Sequence, residues 1–194
     1  MPEQPKRDKA AKKTTTKVTK ATAKTTKATA KKSETTVAQV MTDGAHRVHA
    51  SASLNEVAQR MWDHDIGVVP VVDTDDRLKG VVTDRDIAMA AYLKNRSLQS
   101  VGVQEVMSID VKTVRPVDTL SDAASTMADH QIRRLPVVDD EGRLIGMLSL
   151  NDLAEVSGKP KPDGISKQKV ADTLRAICAS HAASGHPEVS ATSR

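Results

Sequence analysis

The stretches MWDHDIGVVPVVD (Met61–Asp73) and MADHQIRRLPVVD (Met127–Asp139) are two copies of one pattern, 66 residues apart. Working outward from them, the match continues without a gap. VAQVMT (Val37–Thr42) faces VQEVMS (Val103–Ser108), and RLKGVVTDRDIA (Arg77–Ala88) faces RLIGMLSLNDLA (Arg143–Ala154). At this fixed offset, 19 of the 55 positions in 37–91 are identical. Self-similarity at a constant period marks a duplicated structural unit. An ungapped match of this length argues against two unrelated segments that share only a polarity pattern.

Each copy carries the same local signals. Ser53-Leu54-Asn55-Glu56 is a capping box, whose side chains satisfy N–H groups left without partners in a first helical turn. Behind it Leu54, Val57, Ala58, Met61 and Trp62 recur at helical spacing, which predicts an amphipathic helix. In the second copy Thr119 and Asp122 open the helix, and Leu120, Ala123, Ala124, Met127 and Ala128 form its stripe. The β-branched apolar run Ile66–Val72 predicts a buried strand. The turn Asp73–Arg77 then predicts a hairpin to a short strand, Leu78–Val82. Thr83 opens a second helix through Ile87 and Ala88. A short strand near Arg47–Ala50 (Thr113–Pro116 in the second copy) precedes the first helix, after a short helical turn ending at Met41 or Met107. The unit reads β-α-β-β-α, an α+β fold. A unit of ~55 residues is marginal alone, and a sheet with helices on one side needs cover on the other. The two copies are therefore expected to pack on each other about a pseudo-two-fold axis. The boundaries read as repeat 1 at 37–94, a connector at 95–102, and repeat 2 at 103–157. A linker and short C-terminal helix follow at 158–183.

The chain has 194 residues, 28% of them charged, and a formal net charge of +4. That charge is unevenly placed. Residues 1–36 hold ten Lys and one Arg against three acids, a balance of +8, while 37–194 hold 18 bases and 22 acids, a balance of −4. The Lys/Thr/Ala-rich tail 1–36 has one apolar side chain larger than Ala after Met1, Val18, and so nothing to bury. It is expected to be disordered, as are residues 184–194. The tail is either an electrostatic contact for nucleic acid or another polyanion, or a solubilising spacer. It resembles the basic tails of some bacterial nucleoid-associated proteins.

Composition also narrows the function. With no Phe, one Trp and one Tyr there is no stacking platform for single-stranded nucleic acid. The apolar run Ile66–Val72 is far short of the ~20 residues of a membrane span. A lone Cys178 gives no intramolecular disulfide and no Cys-rich zinc motif. Met1–Ala10 lacks the apolar core of a secretory signal, so the expected location is cytoplasmic. No phosphate-binding loop, nucleophile elbow, HExxH pair or dinucleotide fingerprint is present. No metal site or catalytic residue is assigned, and the expectation is a protein that is not an enzyme.

The VM(T/S) start, the IxxxPVVD strand, and GVVTDRD or GMLSLND at the strand-to-helix junction together resemble a CBS domain. The pair, covering about 37–157, resembles a Bateman module of the stand-alone type. The C-terminal KVADTLRAICAS (Lys169–Ser180) is similar to the tail helix of mycobacterial hypoxic response proteins. The resemblance implies clefts between the repeats that take an adenosine-containing ligand such as AMP, ADP or ATP, and a homodimer of modules. It implies that Asp86 and Asp152 accept from a ribose diol and that Thr83 and Ser149 donate to a phosphate. It implies that backbone near Arg47–Val48 and Gly67–Val69, with counterparts Lys112–Thr113 and Arg133–Leu135, frames the adenine. Thr42 and Ser108 stand at the cleft edge.

Elementary chemistry is compatible with those roles, since a carboxylate accepts two hydroxyls and a helix N-terminus favours anions. It is equally compatible with plain helix capping by Thr83-x-x-Asp86 and Ser149-x-x-Asp152. Arg85 lies at the first junction, and Arg133 and Arg134 in the second strand read as phosphate clamps, or as surface ion pairs with Asp139 or Asp140. Leu150 and Asn151 replace Asp84 and Arg85 in the second copy, so two equal nucleotide sites are not expected. His64 and His130 end equivalent helices, where an imidazolium suits the dipole. Val170, Leu174 and Ile177, with Cys178, suggest one docking face on the C-terminal helix. Three functions stay open: an adenine-nucleotide sensor, a nucleic-acid-associated protein whose repeats dimerise the basic tails, and a stress-related interaction module with empty clefts.

Overall fold

The computed structural model describes residues 35–157 and 164–179. The tail at 1–34 and the segment 180–194 lie outside them, so the readings of disorder and polyanion contact fall outside the described residues.

The chain enters through a one-turn 3-10 helix, Val37–Gln39, and runs through β1 (Thr42–Asp43), β2 (Val48–His49), α1 (Leu54–His64), β3 (Val68–Val72), β4 (Leu78–Thr83) and α2 (Asp84–Lys94). After 3-10 turns at Leu98–Ser100 and Val103–Glu105 come α3 (Leu120–Asp129), β5 (Arg134–Val138), β6 (Leu144–Ser149), α4 (Leu150–Ser157) and α5 (Lys167–Ile177). The capping boxes form as the sequence predicts. Ser53 Oγ accepts from Glu56 N at 3.3 Å, and the Glu56 carboxylate accepts from Ser53 N at 2.8 Å. Thr119 Oγ1 accepts from Asp122 N at 3.1 Å. Helix α1 ends on Asp65, whose positive φ of 50° closes the turn. The hairpins β3–β4 and β5–β6 are antiparallel with the same register and the same bulge position. The strand expected at Arg47–Ala50 is two residues long and pairs parallel with Val71–Val72. Its counterpart at Thr113–Pro116 reduces to one bridge, Val114 to Val137, because Pro116 has no N–H to continue the ladder.

The two copies are interlocked. Strand β1, from the leader of repeat 1, pairs with β6 of repeat 2 through Thr42–Met147 and Asp43–Gly146. Reciprocally, Ser108 from the leader of repeat 2 bridges Val81 of β4. Val37 is fully buried in the core of repeat 2, with Val114, Leu120, Leu135 and Leu148. Val101 and Val103 are buried in the core of repeat 1, with Leu54, Val57, Val69 and Val82. Each repeat thus completes the other's core, which removes the exposed sheet edge that an isolated unit would present. Near the axis Leu78 N donates to Gly142 O at 3.0 Å, and Leu144 N to Asp76 O at 2.9 Å. The crossing needs glycine at two points. A Cβ on Gly80 would lie 2.8 Å from Ser108 O, and one on Gly146 would lie 2.7 Å from Thr42 O.

Helix α5 docks on α3 and α4, but not by the predicted face. Val170 and Ile177 pack on the core and Thr173 is buried, whereas Leu174 is 47% exposed and Cys178 is exposed. The correction has a local cause. Thr173 Oγ1 donates to Lys169 O at 2.8 Å, so its hydroxyl is satisfied within the helix and its methyl can face the core.

Candidate functional site

The interlock opens a cavity of about 540 Å³ between the repeats. Repeat 1 contributes the β3 start, the β4 end and the α2 N-terminus, with Gly67, Val68, Thr83, Asp84 and Arg85. Repeat 2 contributes its leader and β5 start, with Ser108, Asp110, Lys112, His130, Arg133 and Arg134. Val81, Ile132, Pro136 and Met147 give it apolar walls. Eight residues singled out from sequence therefore converge: Gly67, Val68, Thr83, Arg85, Ser108, Lys112, Arg133 and Arg134.

The other seven lie elsewhere. Arg47 pairs with Asp76, its Nε 3.1 Å from a carboxylate oxygen, and Val48 is buried in the core of repeat 1. Thr42 sits in β1 against Met147. Thr113 is exposed outside the cavity lining. Asp86, Ser149 and Asp152 hold helix starts. Asp86 Oδ2 accepts from Thr83 N at 2.8 Å and Thr83 Oγ1 at 2.7 Å, while Thr83 Oγ1 accepts from Asp86 N at 3.2 Å. Asp152 Oδ2 accepts from Ser149 N at 2.7 Å and Ser149 Oγ at 2.8 Å. The capping alternative is thus realised in both copies. It consumes one oxygen of each carboxylate, and Oδ1 of each accepts no hydrogen bond among the described residues. Capping leaves that second oxygen open, and neither carboxylate lines the cavity.

The cavity's charges are partly spent. Lys112 Nζ lies 2.7 Å from Asp110 Oδ1. The hydrogen bond from Lys112, then its charge, holds the Asp110 carboxyl below the usual range. Asp84 lies at the α2 N-terminus, where Arg85 N donates to its Oδ1 at 2.7 Å. Arg85, Arg133 and Arg134 make no ion pair among the described residues. The acids offered as their alternative partners are engaged, Asp139 by Arg143 and Asp140 by Arg115. Three guanidinium groups against one uncommitted acid make the cavity a net acceptor of negative charge.

Sequence reasoning missed one feature of the opposite side. His46 stacks on His64, ring centroids 3.6 Å apart and 13° from parallel. The rings are 18 positions apart in the chain, and only the turn before β2 brings them together. Burial, then the positive fields of His64 and Arg60, hold the His46 imidazole below its ordinary value. The counterparts one repeat later are Lys112 and His130, both lining the cavity. No group of three His, Cys, Asp or Glu side chains among the described residues is arranged to hold a metal ion.

The CBS domain family model matches residues 37–92 and 103–159. A CBS domain-containing protein of Bacillus subtilis, YhcV, is 42% identical over 118 residues, covering 61% of this chain and 82% of that one. Hypoxic Response Protein I, solved with two coordinated zinc ions, superposes with a TM-score of 0.58 at 31% identity, over 62% of this chain and 98% of that one. CBSX2, solved in complex with AMP, superposes with a TM-score of 0.56 at 31% identity, over 62% and 93%. The chain also matches a homoserine O-acetyltransferase of Methanohalophilus mahii at 38% identity, but spans only 24% of that enzyme's length. Two family matches at the repeat spacing, joined by the reciprocal exchange of leaders, establish that this chain belongs to the CBS domain family.

Proposed function

We propose that this chain is a non-enzymatic regulatory module that binds an adenosine-containing phosphate ligand, of the AMP, ADP or ATP class, in the cavity headed by α2. The observation that carries the reading is the convergence of Arg85, Arg133 and Arg134, from both repeats, on one cavity of about 540 Å³. That size lies within the ~300–1,000 Å³ of ordinary small-molecule sites. The binding of AMP by CBSX2 supports the class of ligand.

In this reading the apolar walls take the base, and Asp86 acts on the site through the α2 start it caps, where it holds Thr83 in the cavity lining. The α2 N-terminus and the three Arg side chains hold phosphate. The ligand bridges the repeats, so it favours whichever packing of the two brings these groups together. The opposite side offers Leu150 and Asn151 for Asp84 and Arg85, and the His46–His64 stack for Lys112 and His130. One cavity therefore dominates. The tail's excess of Lys is a separate feature of the sequence, and contact of residues 1–36 with nucleic acid is a second reading that rests on charge alone.

The test is calorimetric titration of the full chain with AMP, ADP, ATP, S-adenosylmethionine and NAD. Saturable heat with one or more of the phosphate ligands is expected. Flat traces from a folded sample would send the function to the tail or to a protein partner.

A further inference from the structure

Two acids line the cavity between the repeats, and their surroundings differ. Asp110 is paired with Lys112, whose Nζ lies 2.7 Å from its Oδ1. Asp84 makes no ion pair among the described residues, although Arg85, Arg133 and Arg134 line the same cavity. Its place is fixed by the backbone on both sides. Asp84 N donates to Gly67 O at 3.2 Å, and Asp84 Oδ1 accepts from Arg85 N at 2.7 Å. Its other oxygen, Oδ2, lies 3.0 Å from the point that a Cβ on Gly67 would occupy, and Arg134 Nη1 lies 3.9 Å from that same point. A carboxylate of repeat 1 and a guanidinium of repeat 2 thus flank a position that carries no side chain.

The second copy of the sequence has neither half of this arrangement. Arg133 stands at the position of Gly67, and Leu150 at that of Asp84. Helix α2 does not need Asp84 for its cap, because Thr83 and Asp86 form the capping box without it. Toward an anion the acid works against its neighbours. The α2 N-terminus and three guanidinium groups attract phosphate, and Asp84, in the first turn of that helix, repels it.

The charge balance decides which phosphate suits the site. With Lys112 and Asp110 cancelling and His130 uncharged, three guanidinium groups and one carboxylate leave the cavity two formal positive charges. A phosphate monoester carries about −1.5 to −2 near pH 7, which meets that balance. Each further phosphate in a chain adds negative charge beyond it, in a cavity that already holds an unpaired acid.

We propose that Asp84 sets the number of phosphates the site accepts, so that the cavity holds a nucleoside monophosphate in preference to a triphosphate. The proposal rests on the reading of this cavity as an adenine-nucleotide site and names the ligand within that class. Asp84 is its specificity-determining residue: it weakens the hold on every anion, and most on the most highly charged.

Calorimetric titration of the full chain with AMP and with ATP, in EDTA at low salt, tests this. EDTA keeps divalent cations from masking the triphosphate, and low salt keeps screening weak. The wild type should bind AMP ~10-fold more tightly than ATP, the order of one unit charge felt across a few ångströms of partly solvated space. Asp84→Asn keeps an oxygen that can accept from Arg85 N and removes the charge. It should bring the two ligands within ~3-fold of each other, chiefly by tightening ATP. Asp65→Asn removes an acid outside the cavity lining and should leave the wild-type ratio unchanged. ATP bound by the wild type at least as tightly as AMP, or an Asp84→Asn effect equal on both ligands, overturns the proposal and leaves the adenine-nucleotide reading standing. So does an Asp65→Asn variant that narrows the ratio as much as Asp84→Asn. No saturable heat with either nucleotide, from a folded chain, overturns that reading and the proposal with it.

Discussion

Repeat 1 and repeat 2 share a backbone plan and diverge in chemistry. What they keep is what the interlock needs. Pro70 and Pro136 sit at the same register, Gly80 and Gly146 take the crossing leader, and Asp86 and Asp152 cap equivalent helices. What they change lies where a ligand or a partner would touch. Gly67 and Val68 stand where repeat 2 has Arg133 and Arg134, and Asp84 and Arg85 stand where it has Leu150 and Asn151. Duplication supplied two equivalent frames, and divergence left the cationic side chains concentrated on one cavity.

The comparison breaks most severely at the glycines. Gly146→Val should cost roughly 3 kcal/mol, since a Cβ there meets backbone and not a side chain that can swing away. Gly80→Val should cost about the same, as the pseudo-symmetry requires, and chemical denaturation checks both. A large difference between them would show that the leaders are not equivalent supports.

At the cavity the repeats should part company. Arg133→Ala combined with Arg134→Ala should weaken ATP binding by ~30-fold or more, because charge-assisted hydrogen bonds contribute about 1.5–3 kcal/mol each. Asn151→Ala, at the counterpart of Arg85, should change it less than ~2-fold. Equal losses would return the two sides to equivalence.

The caps sharpen the distinction. Asp86→Ala and Asp152→Ala should each cost about 1 kcal/mol of stability, the ordinary loss of a capping residue. Only Asp86→Ala should also lower nucleotide affinity, as calorimetry would show. If neither does, both carboxylates serve the helices alone.

The smallest effect concerns the stacked histidines. Burial and two neighbouring positive groups disfavour the His46 imidazolium, so the folded chain takes up that proton at lower pH than the unfolded chain. The stabilisation is full above the unfolded value near ~6.5 and is lost as pH falls below it. Unfolding curves at neutral and mildly acidic pH should show a small decline that His46→Gln reduces.

Much of this was legible in the sequence because the signals are local. Capping pairs, apolar spacing and the turn at Asp73 fix α1, the hairpin and α2 within one stretch of chain. The exchange of leaders was not legible. Val37 and Val103 have the same neighbours in sequence, and nothing local says which copy's core receives them. The His46–His64 stack depends on a loop path that periodicity does not encode. The rotation of α5 turned on Thr173, whose hydroxyl finds Lys169 O in its own helix, so a residue that reads as polar took the buried place of Leu174. At the cavity, the eight convergent residues flank the β3–β4–α2 junction or lie in the leader and the β5 start of repeat 2. Outside the cavity lining, the Arg47 side chain pairs with Asp76, an acid whose proximity comes from the turn of the hairpin.

The central claim is that two equal frames carry one dominant ligand site. The stoichiometry of ATP binding to the full chain, by calorimetry at moderate salt, tests it most directly. The account predicts one site per chain that disappears with Arg133→Ala and Arg134→Ala. Two sites of equal affinity per chain, or no heat from a folded protein, would contradict it.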